Sequence, residues 1–154
     1  MNASIRSAEA ADERDLLALL YEYEAALPTD LRHGLVDEIV LASMRKPPNA
    51  TVLATIDADV IACGFLKHLD DSTAVIQRLY VRPHARGSGL GRALMEALIE
   101  CARTAGYRRV VLDTQREALP EAYRLYEKLG FRECAPFMPV TYNDATFMEL
   151  PLTQ

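Results

Sequence analysis

The hydrophobic positions change period several times along the chain, and each change marks an element. Ala3–Ala8 reads as a short strand anchored by Ile5. Leu16, Leu17, Leu19, Leu20, Tyr23 and Ala26 then recur at helical spacing behind Asp12, a good N-cap, and Pro28 stops the run. A second stripe, Leu31, Leu35, Val36, Ile39, Val40 and Met44, predicts a helix capped by Thr29 and ended by Pro47-Pro48-Asn49. Three β-prone runs follow, Thr51–Ile56, Val60–Lys67 and Thr73–Val81. The short turns Asp57-Ala58-Asp59 and Asp70-Asp71-Ser72 separate them, so an antiparallel meander is the simplest arrangement.

From Leu90 the apolar residues Leu90, Leu94, Ala97 and Leu98 return to helical spacing, and the helix runs to about Ala105 before Gly106. Arg109–Asp113 is a short apolar strand, placed as a parallel neighbour after a helical crossover. Pro120 opens a last helix through Ala122, Leu125 and Tyr126 to Leu129, and Gly130 ends it. Phe131–Cys134 and Ala145–Leu150 make a final strand pair. The order β-α-α-β-β-β-α-β-α-β-β predicts a mixed α/β (α+β) sheet flanked by helices. At 154 residues, one domain spanning 1–154 is expected.

Composition narrows the picture. Half of the residues are hydrophobic and a quarter charged, as in ordinary soluble domains. No apolar run approaches the ~20 residues that span a bilayer, and the N-terminus lacks a signal-peptide core, so a cytoplasmic protein with no membrane association is expected. Cys63, Cys101 and Cys134 form no framework, which suits a reducing compartment. His33, His68 and His84 stand apart from one another and from the cysteines, so no metal site is expected. The apolar surface candidates permit a homodimer.

Charge is uneven in an informative way. The net charge is −5, yet Ser72–Met95 contains Arg78, Arg82, Arg86 and Arg92 and no acid, so the rest of the chain carries −9. A basic island in an acidic protein points to a discrete anionic ligand rather than to nucleic acid, which calls for a basic domain. Within that island a strand feeds the glycine-broken loop Arg86-Gly87-Ser88-Gly89-Leu90-Gly91-Arg92 at the start of a helix. The first amides of a helix have no partner within it and carry the positive end of the dipole. Glycines let a bulky anion approach them, which makes a phosphate site. Arg92 occupies the position where a dinucleotide fingerprint needs glycine. No Lys follows the glycines as a P-loop requires, which counts against ATP.

Arg86-x-x-Gly89-x-Gly91 after a strand ending Leu-Tyr-Val resembles the acyl-CoA pyrophosphate loop of the GNAT-type N-acetyltransferase superfamily. Two further segments carry the resemblance. One is Gly106–Asp113. The other, Ala122–Phe131, is similar to the superfamily signature A-x-x-L-Y-x-K-x-G-F. The element order agrees over nearly the whole chain. The resemblance implies an acetyl-CoA-dependent enzyme that moves an acetyl group to a primary amine by direct attack. It implies acetyl-CoA contacts at Leu79, Tyr80 and Val81, which would hold the pantetheine arm like an added strand. Arg86, Gly87, Ser88, Gly89, Leu90, Gly91 and Arg92 would hold the pyrophosphate. Leu79 or Tyr80 would offer the amide that faces the thioester carbonyl.

Tyr126 matches the tyrosine that protonates the departing thiolate, and a phenol of reference pKa ~10 suits that task. The base is less legible. Where some relatives place a carboxylate on the strand Thr73–Val81, this chain has Val75 and Gln77. Gln77 could still orient a water, and Glu22 and Glu24 on the first helix are the alternative bases. Leu119 stands where relatives often have an Asn that touches the cofactor. These departures support a second reading, a non-catalytic acyl-CoA-binding sensor of the same fold. The acceptor, a small-molecule amine or a peptide or protein amine, is not encoded in any motif; the acidic net charge favours a cationic one.

Overall fold

The computed structural model describes residues 3–32 and 34–153; His33 lies outside them. One seven-stranded sheet runs through the protein. Its strands are β1 (Ala3–Ser7), β2 (Ala50–Ile56), β3 (Asp59–Asp70), β4 (Thr73–Val81), β5 (Arg109–Thr114), β6 (Arg132–Glu133) and β7 (Thr146–Pro151). The helices are α1 (Glu13–Ala26), α2 (Glu38–Met44), α3 (Leu90–Thr104) and α4 (Pro120–Lys128). The order across the sheet is β1-β2-β3-β4-β5-β7-β6. Every neighbouring pair is antiparallel except β4 and β5, which α3 connects as a parallel pair.

The meander forms as its turns dictate. Asp57 and Ala58 both adopt positive φ, 49° and 75°, the conformation a two-residue hairpin demands. The sheet is buried on both faces. Against one face lies α3, with Leu94, Met95, Leu98 and Ala102 fully buried. Gly64 of β3 permits that approach: a Cβ there would stand 2.8 Å from Leu98 Cδ1. Against the other face α1 and α2 pack Leu16, Leu19, Leu20 and Leu41 onto Leu53, Cys63 and Phe65.

Two boundaries depart from the sequence expectation. The second helix does not start at Thr29: Thr29–Leu31 is one 3-10 turn, and α2 begins only at Glu38. Gly34, at φ 88°, interrupts the run, and the Asp37 side chain accepts from the Val40 amide at 2.8 Å, making a new N-cap. The strand expected over Phe131–Cys134 shrinks to Arg132–Glu133, paired with Glu149 and Met148 of β7. Phe131 is buried in the core instead.

One topological feature positions the site. The parallel pair β4–β5 is joined only at Thr73–Val75 and Arg109–Val111, and the strands part beyond those residues. At nearly the same level β4 carries a bulge, where the register on β3 shifts from Phe65–Gln77 to Cys63–Tyr80. One extra residue on β4 is accommodated by Arg78, at φ 53°. The backbone edges of the two strands therefore face each other across an opening instead of bonding.

Candidate active site

The opening between β4 and β5 is a cavity of about 810 Å³. Its walls are Ile76–Val81 of β4 and Leu112–Thr114 of β5. Residues Leu119–Ala122, Leu125 and Tyr126 close it from α4, Tyr23 and Leu27 from α1 and its C-terminus, and Met138–Tyr142 from the loop before β7. Arg86 and Gly91 also border it, so the cavity reaches the start of α3.

That end is the glycine loop that opens α3. Gly87 and Gly89 have φ of 79° and 86°, which a side chain would strain. Gly89 is the N-cap of α3 and no side chain caps the helix, so its first amides are left for an external acceptor. Ser88 Oγ donates to the Ala85 carbonyl and holds the loop closed. The arginine island, by contrast, is mostly engaged within the protein. Arg82 forms a bidentate ion pair with Glu22, Nη2 to Oε2 at 2.9 Å, and donates to the Val60 carbonyl. Arg92 pairs with Glu96 one turn along α3. Arg86 donates to the Val81 carbonyl at 2.9 Å and lies 5.7 Å from the Tyr80 ring centroid. The loop therefore offers mainly backbone amides and dipole, with Arg86 as the neighbouring charge.

Along β4 the direction of each peptide group follows from strand alternation. Arg82 N donates to Ile61 of β3 at 3.0 Å. Two residues earlier, Tyr80 is directed to β3 in the same way, opposite Cys63. The amides of Leu79 and Val81 consequently turn to the unpaired edge, towards the cavity. An extended, amide-containing ligand arm fits such an edge by completing its hydrogen bonds.

At the opposite end four tyrosines gather. Tyr126 lines the cavity from α4, half-buried against Phe131, with ring centroids 6.1 Å apart. Burial, and secondarily the Asp113 carboxylate, push its phenol up to about 12. Tyr142 donates to Asp113 Oδ2 at 2.7 Å, and burial together with that bond raises its pKa. Tyr23 meets the buried Tyr80 edge-to-face at 6.2 Å, and burial raises its pKa too. All of these phenols are neutral donors at neutral pH.

The structure brings Tyr126, Leu79, Tyr80, Val81, Arg86 and Gly91 together around one cavity. It leaves the two candidate bases of α1, Glu22 and Glu24, outside its wall. Glu22 is held by Arg82 and accepts from the Tyr80 hydroxyl at 3.4 Å. Glu24 is buried and accepts from the Gly34 amide. Val75 is 1% exposed, whereas Gln77 reaches the cavity. Sequence reasoning counted Arg78 only among the four arginines of the basic island and placed Tyr23 on the apolar stripe of the first helix. Asp113 was read only as the end of a strand. None of the three cysteines lines the cavity, and burial pushes the Cys63 thiol up to about 12 and raises those of Cys101 and Cys134.

Comparison with known proteins agrees with this geometry. The Acetyltransferase (GNAT) family matches residues 14–131. An uncharacterized N-acetyltransferase of Schizosaccharomyces pombe is 32% identical over 148 residues, covering 93% of this chain and 90% of the relative. Among solved structures, Salmonella typhimurium yncA with its cofactor acetyl-CoA superposes with a TM-score of 0.82 at 25% identity. That match covers 99% of this chain and 95% of the other. The ribosomal-protein-S18-alanine N-acetyltransferase of Escherichia coli gives 0.78 at 25% identity, covering 99% and 96%. A sheet splayed at β4–β5, an uncapped glycine-led α3 and a matching family over most of the chain lead to one conclusion: this chain belongs to the GNAT family and is an acetyl-CoA-dependent N-acetyltransferase.

Proposed function

We propose that the protein transfers the acetyl group of acetyl-CoA directly to a primary amine held at the tyrosine-lined end of the cavity. The observation that carries this reading is the placement of Tyr126 on the wall of the opening that the Leu79 and Val81 amides face. Acetyl-CoA supplies the activated acyl group. Residues Gly87–Arg92 hold its pyrophosphate through amides and dipole, and Leu79 and Val81 extend the sheet onto its amide-containing arm.

The amine enters as its free base. As it adds to the thioester carbonyl, negative charge grows on the oxygen and the Leu79 amide donates to it. The C–S bond then breaks with its electron pair on sulfur, and Tyr126 O–H gives that sulfur its proton. The phenol regains a proton from solvent, and the proton displaced from the amine leaves through water. Glu22 and Glu24 are given no step: neither lines the cavity, Glu22 is paired with Arg82, and Glu24 accepts from the Gly34 amide through one oxygen. The absence of a reactive thiol suits a path with no acyl-enzyme.

The test is acetyl-CoA-dependent CoA release over a panel of primary amines, with Tyr126→Phe beside the wild type. The variant should lose roughly 10²-fold or more in kcat, the usual scale of general-acid catalysis, and keep its acetyl-CoA Kd within about twofold. Unchanged turnover would remove Tyr126 from the mechanism. Acetyl-CoA binding without CoA release over the whole panel would favour a sensor instead.

A further inference from the structure

We infer that Arg78 is the recognition group for an anion on the acceptor, so that the amine acetylated at this site carries a carboxylate. The inference rests on the proposed acetyl transfer and names its acceptor class.

Arg78 differs from every other arginine of the basic island. Arg82 and Arg92 have carboxylate partners. Arg86 stands at the α3 end, committed to the Val81 carbonyl and the Tyr80 ring. Among the residues whose side chains are described, no ion pair joins Arg78 to a carboxylate. Its hydrogen bond is Nη1 to the Gly34 carbonyl, at 3.4 Å. One carbonyl uses one of five N–H donors, which leaves the planar fork available for a carboxylate. A half-buried cation without a counter-ion is costly, and a ligand anion removes that cost.

The backbone points the same way. Arg78 holds φ 53° at the bulge of β4, a left-handed conformation that glycine occupies without strain. A bulge re-aims the side chain it carries, and Arg78 lines the cavity. Opposite it, β5 brings Asp113 with its Tyr142 donor. The cavity's acceptor end therefore has a cation on one wall and a carboxylate on the other. Tyr23 lines the same cavity and senses both charges: beside the larger effect of burial, Arg78 acts to lower its pKa and Asp113 to raise it. An amine whose N–H faces Asp113 and whose carboxylate is taken by Arg78 matches that polarity. A single guanidinium with a nearby carboxylate suits a monoanion and repels a dianion such as a phosphate ester.

The experiment compares the proteinogenic L-α-amino acids with their α-carboxamides as acceptors, reading CoA release. It uses wild type, Arg78→Gln and Arg78→Lys, with acetyl-CoA Kd measured on each. Wild type should prefer the free acid in kcat/KM for at least one pair by roughly 10- to 100-fold, the range for a charge-assisted hydrogen bond. Arg78→Gln should reduce that preference to near unity through KM, Arg78→Lys should retain part of it, and acetyl-CoA Kd should be unaltered. Efficient turnover of carboxamides alone would overturn the inference while leaving the transferase reading intact. A preference that survives in Arg78→Gln, or a raised acetyl-CoA Kd in that variant, would also overturn it. If no amine releases CoA, titration of the amino acids into the CoA-bound protein decides. Binding of the acid but not its amide, lost in Arg78→Gln, supports the inference without catalysis. Binding of neither ends it.

Discussion

At the scale of single residues, partners decide roles that residue type leaves open. Glu22 and Tyr126 were both titratable candidates on helices, and the fold treats them oppositely. Glu22 is tied to Arg82, sixty positions away, by three short contacts. Tyr126 is held neutral at the cavity wall. Glu22→Gln therefore leaves kcat within about twofold, since it removes a partly exposed ion pair worth ~1 kcal/mol or less. A steady-state assay checks this, and a hundredfold loss would restore Glu22 as the base. Tyr126 was legible because its spacing from Gly130-Phe131 is a family signature. Arg78 was not, because a non-glycine residue in the left-handed region leaves no mark in sequence. The Tyr142–Asp113 pair joins two segments that the chain order keeps apart.

At the scale of elements, period and punctuation worked where a single stripe was long and uninterrupted. All three meander strands, α3 and β5 lie where alternation and helical spacing predict them. The second helix failed because its stripe continued through Gly34 while the backbone did not. Only Asp37 offered the cap that α2 uses. α3 presents uncapped amides at one end and packs the core at its middle. Leu94 is completely buried there, so Leu94→Ala should cost about 2–5 kcal/mol through lost transfer energy and a residual cavity. Urea unfolding should show a lowered midpoint with an unchanged slope. A cost under about 1 kcal/mol would mean that α3 does not anchor on the sheet as described.

For the molecule as a whole, function follows from one break in an otherwise continuous sheet. β4 and β5 bond for three residues and then separate, and the bulge at Arg78 sits where they part. The unpaired edges, the uncapped start of α3 and the tyrosines of α1, α4 and the last loop all meet around that break. The element order and the glycine loop were legible in the sequence; the splay depends on long-range register that no local pattern encodes. The most direct test is a thermal-shift titration of acetyl-CoA against wild type and Gly89→Val, with ATP and NADH as comparators. At 100 times Kd a ligand adds about 2.7 kcal/mol, which for a domain of this size is roughly 5–10 °C. Acetyl-CoA should give that rise in wild type and much less in Gly89→Val, where a β-branched residue must adopt φ 86°. ATP and NADH should shift neither protein comparably. An equal rise in both proteins, or none in wild type, would contradict a site built on the α3 amides and the open edge of β4.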